Sequence, residues 1–92
     1  MTYDSAEVRR AAQKIQACAN SVNQSAAPKV RNMRNDVDDS FEGAAANALK
    51  NRLSDIDADI RTIVSGLNLL YRALIIYADA LDEADRRIAE SL

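Results

Sequence analysis

The sequence predicts an all-α fold: a helix-turn-helix hairpin, two of which pair into a four-helix bundle. Two observations carry this prediction. The 92 residues include one Pro and two Gly, which leaves few turn signals for a sheet-rich or α/β fold. Apolar residues recur at steps of three and four through both halves of the chain, the spacing of one helix face. The length allows a single domain, 1–92, and the scarcity of aromatic residues (4%) predicts thin packing between close helices.

The first helix is predicted over residues 5–38. Its apolar series contains one extra four-residue step, from Ala26 to Val30, which is a stutter in the repeat. Pro28 lies at the stutter and is expected to kink the helix, because proline removes one backbone hydrogen bond. The series comprises Val8, Ala12, Ile15, Ala19, Val22, Ala26, Val30, Met33 and Val37.

The second helix is predicted over residues 44–90. Its apolar residues alternate steps of four and three without a break, which is the pattern of a coiled-coil seam. The seam comprises Leu49, Leu53, Ile56, Ile60, Ile63, Leu67, Leu70, Leu74, Tyr77, Leu81, Ala84 and Ile88.

Residues 39–43 are predicted to form the corner between the helices. Ser40 is a candidate N-cap for the second helix, as Asp4 and Ser5 are for the first. Gly43 can adopt dihedrals that are closed to other residues, or admit a neighbouring backbone at close range. A connection this short makes consecutive helices antiparallel neighbours.

A second apolar stripe widens the seam over residues 67–77, and a lone hairpin would leave that surface in water. We therefore expect a second hairpin to cover it, most simply in a homodimer. The predicted dimer or partner interface comprises Leu67, Leu70, Ala73, Leu74, Ile76 and Tyr77.

Composition argues against several classes of function. The net charge of −2, with both signs interspersed, is poor for neutralising nucleic-acid phosphates. The chain has no His, no paired metal-binding cysteines and no Gly-rich phosphate loop, so we expect no enzyme activity, no cofactor, no metal site and no small-molecule substrate.

Two observations bear on localisation. No uninterrupted apolar run reaches the roughly 18 residues of a membrane span, since charged and polar residues break the stretch from Leu67 to Ala80. The first ten residues contain no apolar segment of the Sec signal type. Any export is expected to use another route.

Two single residues have structural interpretations. Cys18 is expected to be buried or half-buried beside the seam position Ala19. Gly66 lies within the second helix, where it either adds flexibility or permits close approach of another helix.

The corner Phe41-Glu42-Gly43 and the pattern Leu81, Asp85, Ile88 and Leu92 together resemble the WXG (ESAT-like) family of small type VII (ESX) secretion substrates. That family has a Trp-x-Gly corner, here with Phe41 in place of Trp, and an acid four residues after a hydrophobic one in its tail signal. The related Tyr-x-x-x-Asp/Glu form of the signal is missing after Tyr77.

The resemblance implies a secreted helical-hairpin substrate or adaptor that is cytoplasmic before export. Phe41 and Gly43 would form the turn motif, and the tail pattern would be read by the type VII secretion ATPase. Phe41 also has a local interpretation, as a hydrophobic staple at the entry of the second helix.

Two alternatives remain open. A targeting partner of an LXG-type toxin effector would use the same apolar face to bind the toxin's helical domain, and a paralogous hairpin could take the place of the second copy. A cytosolic coiled-coil interaction module would show the same periodicity without any export.

Overall fold

The computed structural model describes residues 4–40 and 42–92, of which 95% are helical, and neither range contains a strand. Helix α1 spans Ser5–Ser21 and is followed by a π-helical turn at Val22–Ala26. Helix α2 spans Ala27–Ser40, and the long helix α3 spans Ala44–Ser91.

The residues that begin each helix are readily explained. The Glu7 backbone N–H donates to Asp4 Oδ1 at 2.8 Å, so Asp4 is the N-cap of α1. Ser40 is the last residue of α2 rather than the cap of α3, which corrects its assignment as an N-cap. Gly43 precedes α3, and its carbonyl accepts the Asn47 N–H at 3.1 Å.

Gly43 adopts a φ of 95°, the only positive φ among the described residues. A side chain at this φ would clash with its own backbone, so glycine is needed for conformation. The alternative explanation, close approach of another backbone, does not apply, because nothing lies within 4 Å of the position a Cβ would take.

Pro28 is accommodated by the π-helical turn. The Ala27 N–H bonds to the Val22 carbonyl, one residue further back than in an α-helix. Proline has no N–H to donate, and Pro28 lies inside a continuous helix, because α1, the π-helical turn and α2 follow one another without a gap. A π-helical turn is one of the local distortions that accompany such an interruption. The extra residue of the turn shifts the register, so Ala27 is buried while Ala26 is half-buried.

The chain divides into two compact units. Unit 1 joins the N-terminal part of the chain, up to Cys18, with Gly66–Leu92, and unit 2 is the continuous segment Ala19–Ser65. Both units pair an early helical segment with part of α3.

In unit 2, α2 and α3 pack antiparallel around a small core. Val37, Ala46 and Leu53 form a buried cluster, with Val30 packed against it. Lys50 Nζ lies 2.7 Å from Asp38 Oδ1 at the edge of this cluster and ties the two helices together.

In unit 1, α1 and α3 are joined by an ion-pair bridge. Arg9 Nη2 lies 2.7 Å from both Asp79 Oδ1 and Asp82 Oδ2, two acids three residues apart on α3. Val8, Ala12 and Ala78 are buried in the same unit, and the two alanines have no exposed surface.

The packed face of α3 differs from the predicted seam. Alternate members of that seam, Leu53, Ile60, Leu67, Leu74 and Leu81, are buried or half-buried. The intervening members, Leu49, Ile56, Ile63, Leu70 and Tyr77, are exposed. Smaller residues of α3 pack instead of these exposed members: Ala46 and Ala78 are buried, and Val64 is half-buried. Alanine has little bulk, so it suits the points where two helices approach closely.

Three further residues differ from their predicted positions or remain untested by the structure. Cys18 is exposed, contrary to expectation, because its neighbour Ala19 occupies the packed position. Met33 is also exposed despite its place in the predicted series. Phe41 lies outside the described residues.

Candidate interaction surfaces

Unit 1 carries a continuous apolar face on α3. Leu69 and Ile76 are 65% and 69% exposed, and Leu70, Tyr77 and Ala73 are exposed beside them. We call these five residues the unit 1 face. Four of the six predicted interface residues belong to it, whereas Leu67 and Leu74 are half-buried.

A groove of about 420 Å³ adjoins the unit 1 face. Its walls are mostly apolar and come from both α1 and α3, with one carboxylate, Glu7, among them. The full lining is Glu7, Val8, Ala11, Leu74 and Tyr77. An apolar groove beside exposed large side chains is the shape that receives an amphipathic helix from a partner.

Unit 2 presents a second exposed apolar stripe on α3. Leu49, Ile56 and Ile63 recur every seven residues and are 47%, 44% and 53% exposed. We call these three residues the unit 2 stripe. Sequence periodicity predicted that these three residues pack within the hairpin. The only sign of their exposure in the sequence is the charged neighbours Arg52 and Asp59.

The predicted export signal lies near the end of α3. Leu81 is half-buried, whereas Asp85, Ile88 and Leu92 are exposed. The acid is thus displayed between the half-buried Leu81 and the exposed Ile88 on the surface of α3.

The arginines that follow Asp85 pair elsewhere. Arg86 and Arg87 both bind the carboxylate of Glu83, Arg87 through Nε at 3.2 Å from Oε1. Within residues 4–40 and 42–92, no ion pair involves Asp85. Its carboxylate is therefore available to a partner, which favours the recognition role over an intrachain salt bridge.

The corner end of unit 2 has a polar surface. A shallow groove of about 720 Å³ is lined by Arg34, Asn35, Asp38, Asn47, Lys50 and Asn51. Gly43 lies exposed at the same end. The polar lining contrasts with the apolar groove of unit 1.

The interhelical ion pairs shift the pKa values of their groups. The Ser5 hydroxyl, and then the Arg9 guanidinium, lower the pKa of the Asp82 carboxyl below 3.8. Hydrogen bonds to Asp82 and Asp79 raise the pKa of Arg9. The Lys50 ammonium lowers the pKa of Asp38 in the same way. These pairs could not be predicted from the sequence, because their partners are far apart in the chain.

By length and composition alone, α3 contains an 18-residue window that could cross a membrane, with a mean hydropathy of 1.3 and 6% of it buried. Polar and charged residues interrupt this window, so it is not an unbroken apolar run. The signal is weak, because core helices of soluble proteins also pass such a test. Arg72 and Asp79 interrupt the most apolar part of α3, and each would cost about 2.5–3.5 kcal/mol at a bilayer centre.

Among residues 4–40 and 42–92, no group of three or more Cys, Asp or Glu side chains is placed to hold a metal ion. Comparison with protein families, curated proteins and solved structures finds no match to this chain.

Proposed function

We propose that this chain is a small type VII (ESX) secretion substrate or adaptor that folds as a helical hairpin and pairs with a second hairpin in a four-helix bundle. It acts by displaying surfaces to protein partners rather than by catalysis. It leaves the cytoplasm through the type VII machinery and presents the export signal near the end of α3 to the secretion ATPase.

The amount of exposed surface is the observation that carries the pairing with a second hairpin. The chain exposes 6989 Å², whereas a compact monomer of 10.1 kDa exposes about 5,300 Å². The excess, roughly 1,700 Å² for one chain, is about twice the roughly 800 Å² that each partner buries in a standard protein interface. No side chain larger than alanine is fully buried among the described residues.

The chemistry of that surface points to another helical protein. The exposed large side chains are mainly Leu and Ile at helical spacing, on both the unit 1 face and the unit 2 stripe. Such stripes pack into complementary stripes on another helix. A membrane-surface helix would instead need a polar face rich in Lys and Arg.

Export is tested with Asp85→Ala. The exposed carboxylate pairs with no described residue, so its loss leaves the fold intact while removing the charge that the secretion ATPase would read. We expect helical content and molecular mass to be unchanged and secretion into the medium of intact cells to fall at least tenfold.

Glu90→Ala is the matched control, since it removes another exposed acid from the last turns of α3. If Asp85→Ala is secreted as efficiently as Glu90→Ala, the assigned export signal is wrong. If the unmodified chain is never secreted, the cytosolic coiled-coil alternative replaces the proposed function.

A targeting partner for an LXG-type toxin effector is the remaining alternative within this class. The unit 1 face and its groove would then receive the toxin's helical domain. A purified chain that folds poorly or aggregates alone, and becomes soluble only with such a toxin, would favour this alternative.

A further inference from the structure

The unit 2 stripe is flanked by two opposite charges at regular positions. Arg52 lies three residues after Leu49 and four before Ile56, and Asp59 lies three after Ile56 and four before Ile63. Residues at these spacings border the same side of the stripe. Both charged side chains are exposed.

Arg52 and Asp59 are poorly placed to pair with each other. They are seven residues apart on α3, or about 10.5 Å along the helix axis. Side chains three or four residues apart are the usual ion-pairing neighbours on a helix. Across the described residues, no salt bridge involves either of them, although neighbouring Arg61 and Asp57 do pair at 2.8 Å.

From this arrangement we infer that the unit 2 stripe binds the same stripe of a second copy, antiparallel, about a two-fold axis level with Ile56. This inference rests on the proposed function, which requires a second hairpin, and it identifies that hairpin as the same chain. Ile56 then lies beside its own copy, and Leu49 lies beside Ile63 of the second copy.

Charge complementarity selects the second copy and its orientation. In antiparallel pairing about Ile56, Arg52 of one copy and Asp59 of the other differ by only about 1.5 Å in their position along the helix axis. The two-fold axis makes this ion pair twice on the same side of the interface. A parallel copy in register would instead place the Arg52 and Asp59 side chains of the two chains on opposite sides of the interface, where neither ion pair can form.

The apolar stripe and the charges have separate roles in this interface. Leu49, Ile56 and Ile63 contribute the burial, since each has about half of its surface exposed in the single chain. The two Arg52–Asp59 pairs lie at the rim, where charges determine orientation and choice of partner more than total affinity.

A charge-reversal exchange tests the inference. Arg52→Glu leaves two acids beside the stripe, and Asp59→Arg leaves two bases. We expect each variant alone to self-associate at least about tenfold more weakly than the unmodified chain at low ionic strength, because both rim pairs become repulsive. An equimolar mixture of the two variants, and the double variant R52E/D59R, should regain the mass of the unmodified protein in sedimentation equilibrium.

Asp39→Arg is the matched control, because it reverses an exposed acid on α2 and should leave self-association unchanged. If the unmodified chain dimerises and both single variants dimerise equally well, the inference fails while the proposed function stands. The inference also fails if the single variants weaken association and neither the mixture nor the double variant restores it. A monomeric unmodified chain that is not secreted would contradict the proposed function itself.

Discussion

At the scale of the residue, the two glycines occupy opposite environments. Gly43 needs its positive φ to begin α3, whereas Gly66 lies within α3 with ordinary helical dihedrals. Both have open space where a Cβ would be. Steric crowding therefore does not distinguish the two glycines. They differ in their backbone conformation.

Gly43→Ala and Gly66→Ala should consequently change stability in opposite directions. Alanine at Gly43 should lower the free energy of unfolding by about 1–2 kcal/mol, the cost of a left-handed conformation. Alanine at Gly66 should raise it by about 1 kcal/mol, because glycine is a poor helix former. Urea unfolding followed by circular dichroism measures both, and each variant is the other's control. Equal effects at the two positions would contradict this account.

The Arg9 bridge predicts a specific response to acid. The pKa of the Asp82 carboxyl is lowered in the folded chain. Ionised Asp82 therefore contributes fully to the free energy of unfolding above pH 3.8, and this contribution disappears as the pH falls through the lowered pKa. Arg9→Ala should therefore lower the melting temperature at neutral pH and have little further effect in strong acid.

Arg10→Ala is the control for that experiment, since Arg10 is exposed and forms no salt bridge with another described residue. A loss of stability for Arg9→Ala that is the same at neutral pH and in strong acid would rule out the ionic explanation.

At the scale of the element, the helices could be predicted from the sequence, but the rotation of α3 could not. Three- and four-residue spacing located both long helical regions and the corner between them. Two overlapping apolar stripes run along α3, and periodicity alone cannot say which one packs within the chain. The buried alanines explain which stripe of α3 packs. Ala46 and Ala78 permit a close approach of the two helices that Leu49 or Tyr77 would prevent. Alanine is only weakly hydrophobic, so the apolar pattern of the sequence does not identify these alanines as the packed residues.

The stutter near Pro28 could be predicted from the sequence, but the backbone conformation that accommodates it could not. A four-residue step predicts a change of helical phase, which a bend or a π-helical turn can supply. The structure has the π-helical turn, with Ala27 bonded to Val22. The interhelical ion pairs were equally hidden, because they depend on the register of α3.

Overpacking tests the role of the buried alanines. Ala78→Leu introduces three carbon atoms where the alanine has no exposed surface, so the free energy of unfolding should fall by about 1–3 kcal/mol. Ala58→Leu makes the same change at an exposed position of α3 and should have little effect. Thermal unfolding of the two variants measures the difference, and equal stability would show that α3 packs by another face.

At the scale of the whole molecule, too little apolar surface is buried for a lone chain. Among the described residues, the core consists mainly of alanines with a few larger aliphatic residues, while ten large hydrophobic side chains remain exposed. A domain with so little burial is only marginally stable in isolation. Association with a second hairpin covers the unit 2 stripe, so folding and pairing are expected to be coupled.

Coupling makes stability depend on concentration. Melting temperature should rise with protein concentration for a dimer whose single chains are only marginally folded. Ile56→Asp, at the centre of the unit 2 stripe, should remove that dependence and lower the melting temperature. Ala58→Asp, two residues away on another face, should change neither.

Sedimentation equilibrium of the purified chain tests the central claim most directly. The account predicts twice the 10.1 kDa mass of one chain, with dissociation on dilution accompanied by loss of helical signal. A compact monomer that melts cooperatively at high concentration, with no change on dilution, would contradict it.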